Sequence, residues 1–169
     1  MKLRIKSKLM SVHSEVEVLD RSGEVVYHAD TDPLSSPRLT RYKDAEHKEL
    51  AVITTVRLDS ENRAHHVVMA DGRAFDLKRK FRTPASTTES YLTVSGAGWK
   101  IVTRRAWTSR FEIRTESGVV LLEAKQVPVE RGDTYDLDVR DEEHVDELVL
   151  LSLIARYVMR EDAPVPAAI

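Results

Sequence analysis

The chain has no cysteine. Disulfides, thiolate nucleophiles and cysteine-ligated zinc are excluded together, and the composition suits a reducing compartment. Glycine and proline are scarce, six of each in 169 residues. The glycines (23, 72, 96, 98, 118 and 132) fall at predicted turns or between strands. None sits in a strand–loop–helix unit of the kind that cradles phosphate, so the usual nucleotide sites are not expected. No run reaches the ~18 uninterrupted apolar residues of a membrane-spanning helix. The basic start, Met1 to Val18, lacks the apolar stretch of a secretory signal. These absences predict a soluble, cytoplasmic protein, with a peripheral position at a membrane open to it and no transmembrane segment. Aromatics amount to 6%. Only Trp99, Lys100, Arg104, Arg105 and Trp107 approach the basic–aromatic interleaving of a nucleic-acid surface, and nucleic acid is not a favoured partner.

Apolar residues make up 41% and charged residues 32%, a globular balance with chain enough for one sizeable core. The net charge of -2 hides an asymmetry: residues 115–169 hold 5 Lys/Arg against 13 Asp/Glu, so the first two-thirds are basic. A basic surface of that kind suits anions.

Alternation dominates the pattern. Lys2-Leu3-Arg4-Ile5-Lys6 and Glu15-Val16-Glu17-Val18 have period two, the mark of strands with one wet face. Asp20-Arg21-Ser22-Gly23, Ala70-Asp71-Gly72-Arg73, Ser95-Gly96-Ala97-Gly98 and Glu116-Ser117-Gly118 each separate two such runs and read as hairpin turns. A looser copy places Lys43-Asp44-Ala45-Glu46 as a turn. The runs predict about twelve strands near 2–9, 14–19, 24–30, 37–42, 48–57, 64–69, 74–82, 89–95, 99–105, 107–114, 119–126 and 133–139. Even spacing with short connections predicts a barrel or sandwich and a single domain over 1–162, followed by a flexible Pro/Ala tail over 163–169.

One helix is predicted, from about 142 to 160. Asp141, Glu142, Glu143, Asp146 and Glu147 suit the positive end of its dipole, and Arg156 and Arg160 suit the other. It is apolar nearly all round, which calls for burial on every side. At 1.5 Å per residue it spans roughly 28 Å, close to the roughly 25 Å of a strand of seven or eight residues. A barrel of about twelve strands is too wide for its own side chains to fill. The helix is therefore expected to thread a closed antiparallel barrel, with Leu148, Leu150, Leu151, Ile154 and Val158 as core. Ser152, Arg156 and Arg160 form a narrow stripe along it, and Arg156 is expected to pair or to reach an open end.

Asp133-Thr134-Tyr135-Asp136-Leu137-Asp138-Val139, followed by the Leu/Ile/Ala-rich segment from Glu143 to Asp162, resembles the closing signature of the LURP-one-related family. The strand–turn–strand units VLDRSGEVVY and VVMADGRAFDL resemble that family too, and the likeness covers nearly the whole chain. The family belongs with the Tubby C-terminal-like superfamily, which includes the phospholipid scramblases. The resemblance implies a twelve-stranded barrel around a central C-terminal helix. It also implies a mainly non-enzymatic module that binds anionic membrane lipids such as phosphoinositides. No Tubby lipid-binding motif maps residue by residue onto this chain, and the palmitoylated cysteines of scramblases are absent.

Two basic groups are the candidates for an anion or lipid site: Lys78, Arg79, Lys80 and Arg82, and Arg104, Arg105 and Arg110. Arginine would bind a phosphorylated headgroup by paired hydrogen bonds and lysine by charge. Lys2, Arg4, Lys6 and Lys8 share one strand face and are expected to point outward, guarding a strand against unwanted pairing. No metal or other cofactor is expected. His65 and His66 diverge as strand neighbours, His13, His28, His47 and His144 lack a helical partner, and Asp133, Asp136 and Asp138 lack the Gly and closing Glu of a calcium loop. No Gly-x-Ser-x-Gly elbow is present, and no enzyme is expected. A protein–protein interaction or scaffold module without a lipid ligand is the alternative.

Overall fold

A computed structural model describes residues 1–7, 14–32, 34–57, 63–79, 89–103, 110–128 and 134–162. Its strands are β1 (Lys2–Ser7), β2 (Ser14–Leu19), β3 (Val25–Asp32), β4 (Arg38–Asp44), β5 (Glu49–Arg57), β6 (Arg63–Met69), β7 (Ala74–Arg79), β8 (Glu89–Ser95), β9 (Trp99–Thr103), β10 (Arg110–Thr115), β11 (Val120–Gln126) and β12 (Tyr135–Val139). A 3-10 turn at Glu142–His144 leads into α1 (Val145–Asp162), the one α-helix among the described residues. Each strand pairs antiparallel with its sequence neighbours, and β1 closes on β12 with Leu3 opposite Leu137. The twelve strands form a closed barrel, as their count and spacing predict. Residues 163–169 and the predicted strand ends at 8–9, 80–82, 104–105, 107–109 and 133 lie outside the described residues.

Antiparallel winding gives the barrel two unlike ends. At one, which we call the hairpin end, tight turns join β2 to β3, β4 to β5, β6 to β7, β8 to β9 and β10 to β11. Aspartate holds three of them. The Asp20 carboxylate accepts from the amides of Ser22 and Glu24, Asp44 from those of Glu46 and Lys48, and Asp71 from that of Arg73. Short acidic side chains mimic a backbone turn in this way, which is the physical content of the repeated Asp/Ser/Gly signal. The β4–β5 turn sits later than its predicted place, because Asp44 is the last strand residue and His47 takes the positive φ of 64°. Gly96 is required as glycine: its φ is +103° and an added Cβ would lie 2.5 Å from the carbonyl oxygen of Ala74.

Alternation sends one residue in two inward. Leu3 and Ile5, Ala51 and Ile53, Phe75 and Leu77, and Phe111 and Ile113 are all buried. They pack on α1, whose run from Leu148 to Ala155 contains no exposed residue; Leu148, Leu150 and Leu151 are 0% exposed, Ile154 4% and Val158 5%. Ser152 lies among them and donates its hydroxyl to the carbonyl of Leu148 at 2.8 Å, so its burial strands no polar atom.

Contacts at both ends fix the threading. At the hairpin end the Tyr27 hydroxyl donates to Asp146 at 2.6 Å, Arg73 pairs with the buried Glu147, and Trp99 meets His144 edge-on. At the opposite end Arg156 donates to Ser7, and Arg38 and Arg63 donate to Tyr157. The helix therefore enters at the hairpin end and finishes at the other, the mouth. No described helix is long and apolar enough to cross a membrane.

The charged strip on β1 has a different role from the expected one. In a closed barrel β1 has no free edge, because β2 and β12 both pair with it. Its outward cations instead bond across the strand: Lys2 meets Asp138 at 2.9 Å and Arg4 meets Asp136 at 2.6 Å. The hydrogen bond from Lys2 is the main cause that holds the Asp138 carboxyl below its ordinary range.

Candidate functional site

The inner wall changes character along the barrel axis. Near the hairpin end, the inward positions of β3 to β6 are Tyr27, Tyr42, Ala51 and Met69. Towards the mouth the same alternating rows carry Thr31, then Thr40 and Arg38, then Thr55, then His65 and Arg63. Cross-strand pairing brings them side by side, with Thr31 opposite Thr40, Arg38 opposite Thr55, and Thr55 opposite His65. Polar residues at positions that should be core are departures from the local pattern, and such departures concentrate at functional sites.

Thr31, Arg38, Thr40, Thr55 and His65 wall a cavity of about 120 Å³ between the strands and the last turns of α1. Arg156, 6% exposed, enters from the helix and donates to the Ser7 hydroxyl. Tyr157 accepts hydrogen bonds from Arg38 at 2.5 Å and from Arg63 at 2.7 Å, and the Arg38 guanidinium also stands 4.8 Å from its ring centre. Among the described residues Arg38 has no carboxylate partner. Thr31 and Thr40 share a hydrogen bond of 2.9 Å, and Thr55 is 3.0 Å from Nδ1 of His65. Burial, reinforced by the Arg63 and Arg38 charges, lowers His65 from its ordinary 6.5 to about 4. At neutral pH the imidazole is uncharged, and positive charge at the mouth comes from arginine. Deeper in, Ala29, Ile53, Leu153 and Ile154 line the same cavity. The arrangement offers guanidinium and hydroxyl donors at the mouth above an apolar depth.

The basic residues singled out by sequence are distributed differently. Lys80, Arg82, Arg104 and Arg105 lie outside the described residues, and Arg79 is placed only as the end of β7. Lys78 is exposed on β7 and Arg110 is exposed on β10, with β8 and β9 between them. Three strand spacings separate their backbones by roughly 14 Å. The described ends of β7 and β10 both lie at the mouth. Arg38, Arg63 and Tyr157 escaped the sequence reading, and Arg156 entered it only as a charge to be accommodated. The signal for them was there: Arg38 and Thr40 precede Tyr42, Thr55 follows Ala51 and Ile53, and Arg63 and His65 precede Val67 and Met69, all in one parity.

At the hairpin end Asp141, Glu143 and His144 bring one ligand-type atom each to within 4.8 Å of one another. His144 bonds Asp141 at 2.8 Å and packs against Trp99, which accounts for the grouping as the fastening of the helix entrance. His65 and His66 diverge, one buried against Thr55 and the other exposed and 2.7 Å from Asp76.

Comparison with curated proteins and with solved structures gives no match. The family model described as LURP-one-related matches residues 1–157. That span takes in all twelve strands and most of α1, and the closed barrel around one C-terminal helix is consistent with the Tubby-like superfamily. The chain belongs to the LURP-one-related family.

Proposed function

We propose that the chain is a non-enzymatic barrel module that docks its mouth on an anionic membrane surface. The observation that carries this reading is the polarity of charge along the barrel axis. Asp141, Glu142 and Glu143 gather at the hairpin end, whereas the strand ends at the mouth carry Arg38, Arg57, Arg63, Lys78 and Arg110 against Asp32 and Glu89. The segments that connect strands there add Lys8, Lys80, Arg82, Arg104, Arg105 and Arg131 against Asp59, Glu61, Glu130 and Asp133 in sequence. Each basic residue near an anionic surface contributes about 1 kcal/mol, falling off within a Debye length. His65, uncharged, turned into the cavity and without an orienting carboxylate among the described residues, supports binding over acid–base catalysis.

Co-sedimentation with phosphatidylserine and phosphoinositide vesicles tests the reading. The chain should bind at low salt and more weakly at physiological salt. Lys78→Glu with Arg110→Glu should weaken binding on the order of tenfold or more, as two surface cations become anions. Absence of binding to either vesicle at either salt overturns the membrane reading. A protein partner captured by lipid-inert chain, and lost on changing the exposed Val56 and Val68, would put a protein-interaction module in its place.

A further inference from the structure

We infer that the mouth cavity is a binding site for one small uncharged alcohol, its hydroxyl on the free ring nitrogen of His65 and its alkyl body directed towards Ile53 and Ile154. The inference goes beyond membrane docking: it concerns the barrel's interior, and a soluble probe tests it.

His65 carries the assignment. It is 3% exposed, points inward from β6 and lines the cavity beside Thr55. Its Nδ1 meets the Thr55 hydroxyl at 3.0 Å, while Nε2 has no hydrogen-bond partner among the described residues. The other polar groups of the wall are engaged. Thr31 and Thr40 bond each other, Arg38 donates to Tyr157, and Arg156 donates to Ser7 and makes a further interaction besides. A polar atom left unpaired in a buried wall is costly unless something in the space before it supplies a partner.

At neutral pH the ring is uncharged and holds one proton. Its free nitrogen donates in one tautomer and accepts in the other. A hydroxyl serves both, because one oxygen can donate and accept. Charged ligands fit worse. The oxygens of an anion would find the nearby guanidinium groups already committed to Tyr157 and Ser7, and an ammonium would be repelled by them. Inward of His65 and Thr55 the wall turns to alkyl, with Val16, Ala29, Ile53, Leu153 and Ile154. That lining takes the ligand's hydrocarbon. The volume of about 120 Å³ limits the ligand to about six non-hydrogen atoms, since an apolar cavity of about 150 Å³ holds benzene.

Nitrogen–proton correlation NMR with cyclopentanol, cyclopentanecarboxylate and cyclopentylammonium, three ligands with one ring, tests the site. The amide signals of Ile53, Thr55 and His65 should shift saturably with cyclopentanol through the millimolar range, at one ligand per chain. The carboxylate and the ammonium should bind at least tenfold more weakly. His65→Phe keeps a ring and removes both nitrogens; it should weaken cyclopentanol about fivefold and spare cyclopentane. Ala29→Leu, which fills the inner level, should abolish the binding of both. If either variant fails to fold, the ligand series on the unaltered chain still decides.

No saturable shift with cyclopentanol overturns the site, as do shifts confined to residues away from the cavity. Carboxylate or ammonium binding as tight as that of cyclopentanol overturns the uncharged assignment. Cyclopentanol binding undiminished in a folded His65→Phe chain overturns the hydrogen bond to His65. The Lys78→Glu, Arg110→Glu variant should bind cyclopentanol as the unaltered chain does, so failure of membrane docking and failure of this site are read separately.

Discussion

Leu150→Asp, or Ile154→Asp, should leave the chain unable to fold. Both side chains sit inside the barrel, 0% and 4% exposed, and strands surround the helix there. A carboxylate at 150 lies in the apolar middle of the core, away from the cavity that Ile154 lines with Arg38 and Arg156, so Leu150→Asp is the more damaging of the two. Burying it unpaired costs several kcal/mol, whether the group stays charged or takes up a proton. The lost alkyl packing adds about 2 to 5 kcal/mol, as for truncation of a buried Leu or Ile. Domains are stable by only about 5 to 15 kcal/mol, so the sum approaches or exceeds the whole. The expected spectrum by circular dichroism is that of unfolded or aggregated chain, and the double variant should be worse. The same changes on a helix lying outside the barrel would cost little, so a soluble double variant with a native spectrum refutes the threaded helix.

Acid should weaken the fold between pH 6.5 and about 4 through His65. His65 is buried and held near 4 in the folded chain, against 6.5 when exposed. Below 6.5 the unfolded state takes up the proton that the folded state refuses. The His65 contribution is therefore fully present above 6.5, is lost as pH falls from 6.5 to about 4, and changes no further below that. Between pH 7 and pH 5 the loss is about 2 kcal/mol. Asp20, Asp71 and Asp138 all titrate below 3.8 in the folded chain, so their contribution is lost only further down. Urea unfolding at pH 7, 6 and 5 measures the slope. His65→Gln keeps a polar group beside Thr55 and should remove about 2 kcal/mol of that pH dependence. A variant with the wild-type pH slope would mean that another group carries it.

The barrel was legible because its signals are local. Period-two alternation in β1 and β2, the aspartate-held turns and the acidic entrance to α1 each depend on residues a few positions apart. The helix could be placed inside the barrel from length and apolarity alone, since nothing else in the chain can fill a closed sheet of that width. The site was less legible for a matching reason. Arg38, Thr55, Arg63 and Arg156 come together only through register, across β4, β5, β6 and the far end of the chain. Threonine also suits a strand in its own right, so Thr31, Thr40 and Thr55 at inward positions read as ordinary β-formers. Lys78 and Arg110 drew attention by clustering in sequence, yet antiparallel winding sets them three strands apart. β1 was read as a strand that needed protection, although the closed barrel expected from the strand count leaves it no free edge, as its pairing with both β2 and β12 shows.

The absence of cysteine makes the decisive measurement simple. Ser152→Cys introduces a single thiol of nearly the same size at a position that is 0% exposed in mid-helix, and Ser95→Cys places one on the outer face of β8. If α1 is the core of the barrel, a thiol reagent reaches Cys at 152 only through global unfolding. Reaction should then be slower than at 95 by about 10³-fold or more, and the two rates should converge in denaturant. Comparable rates at the two positions in native buffer would show that the helix does not lie inside the barrel, and would contradict the account at its centre.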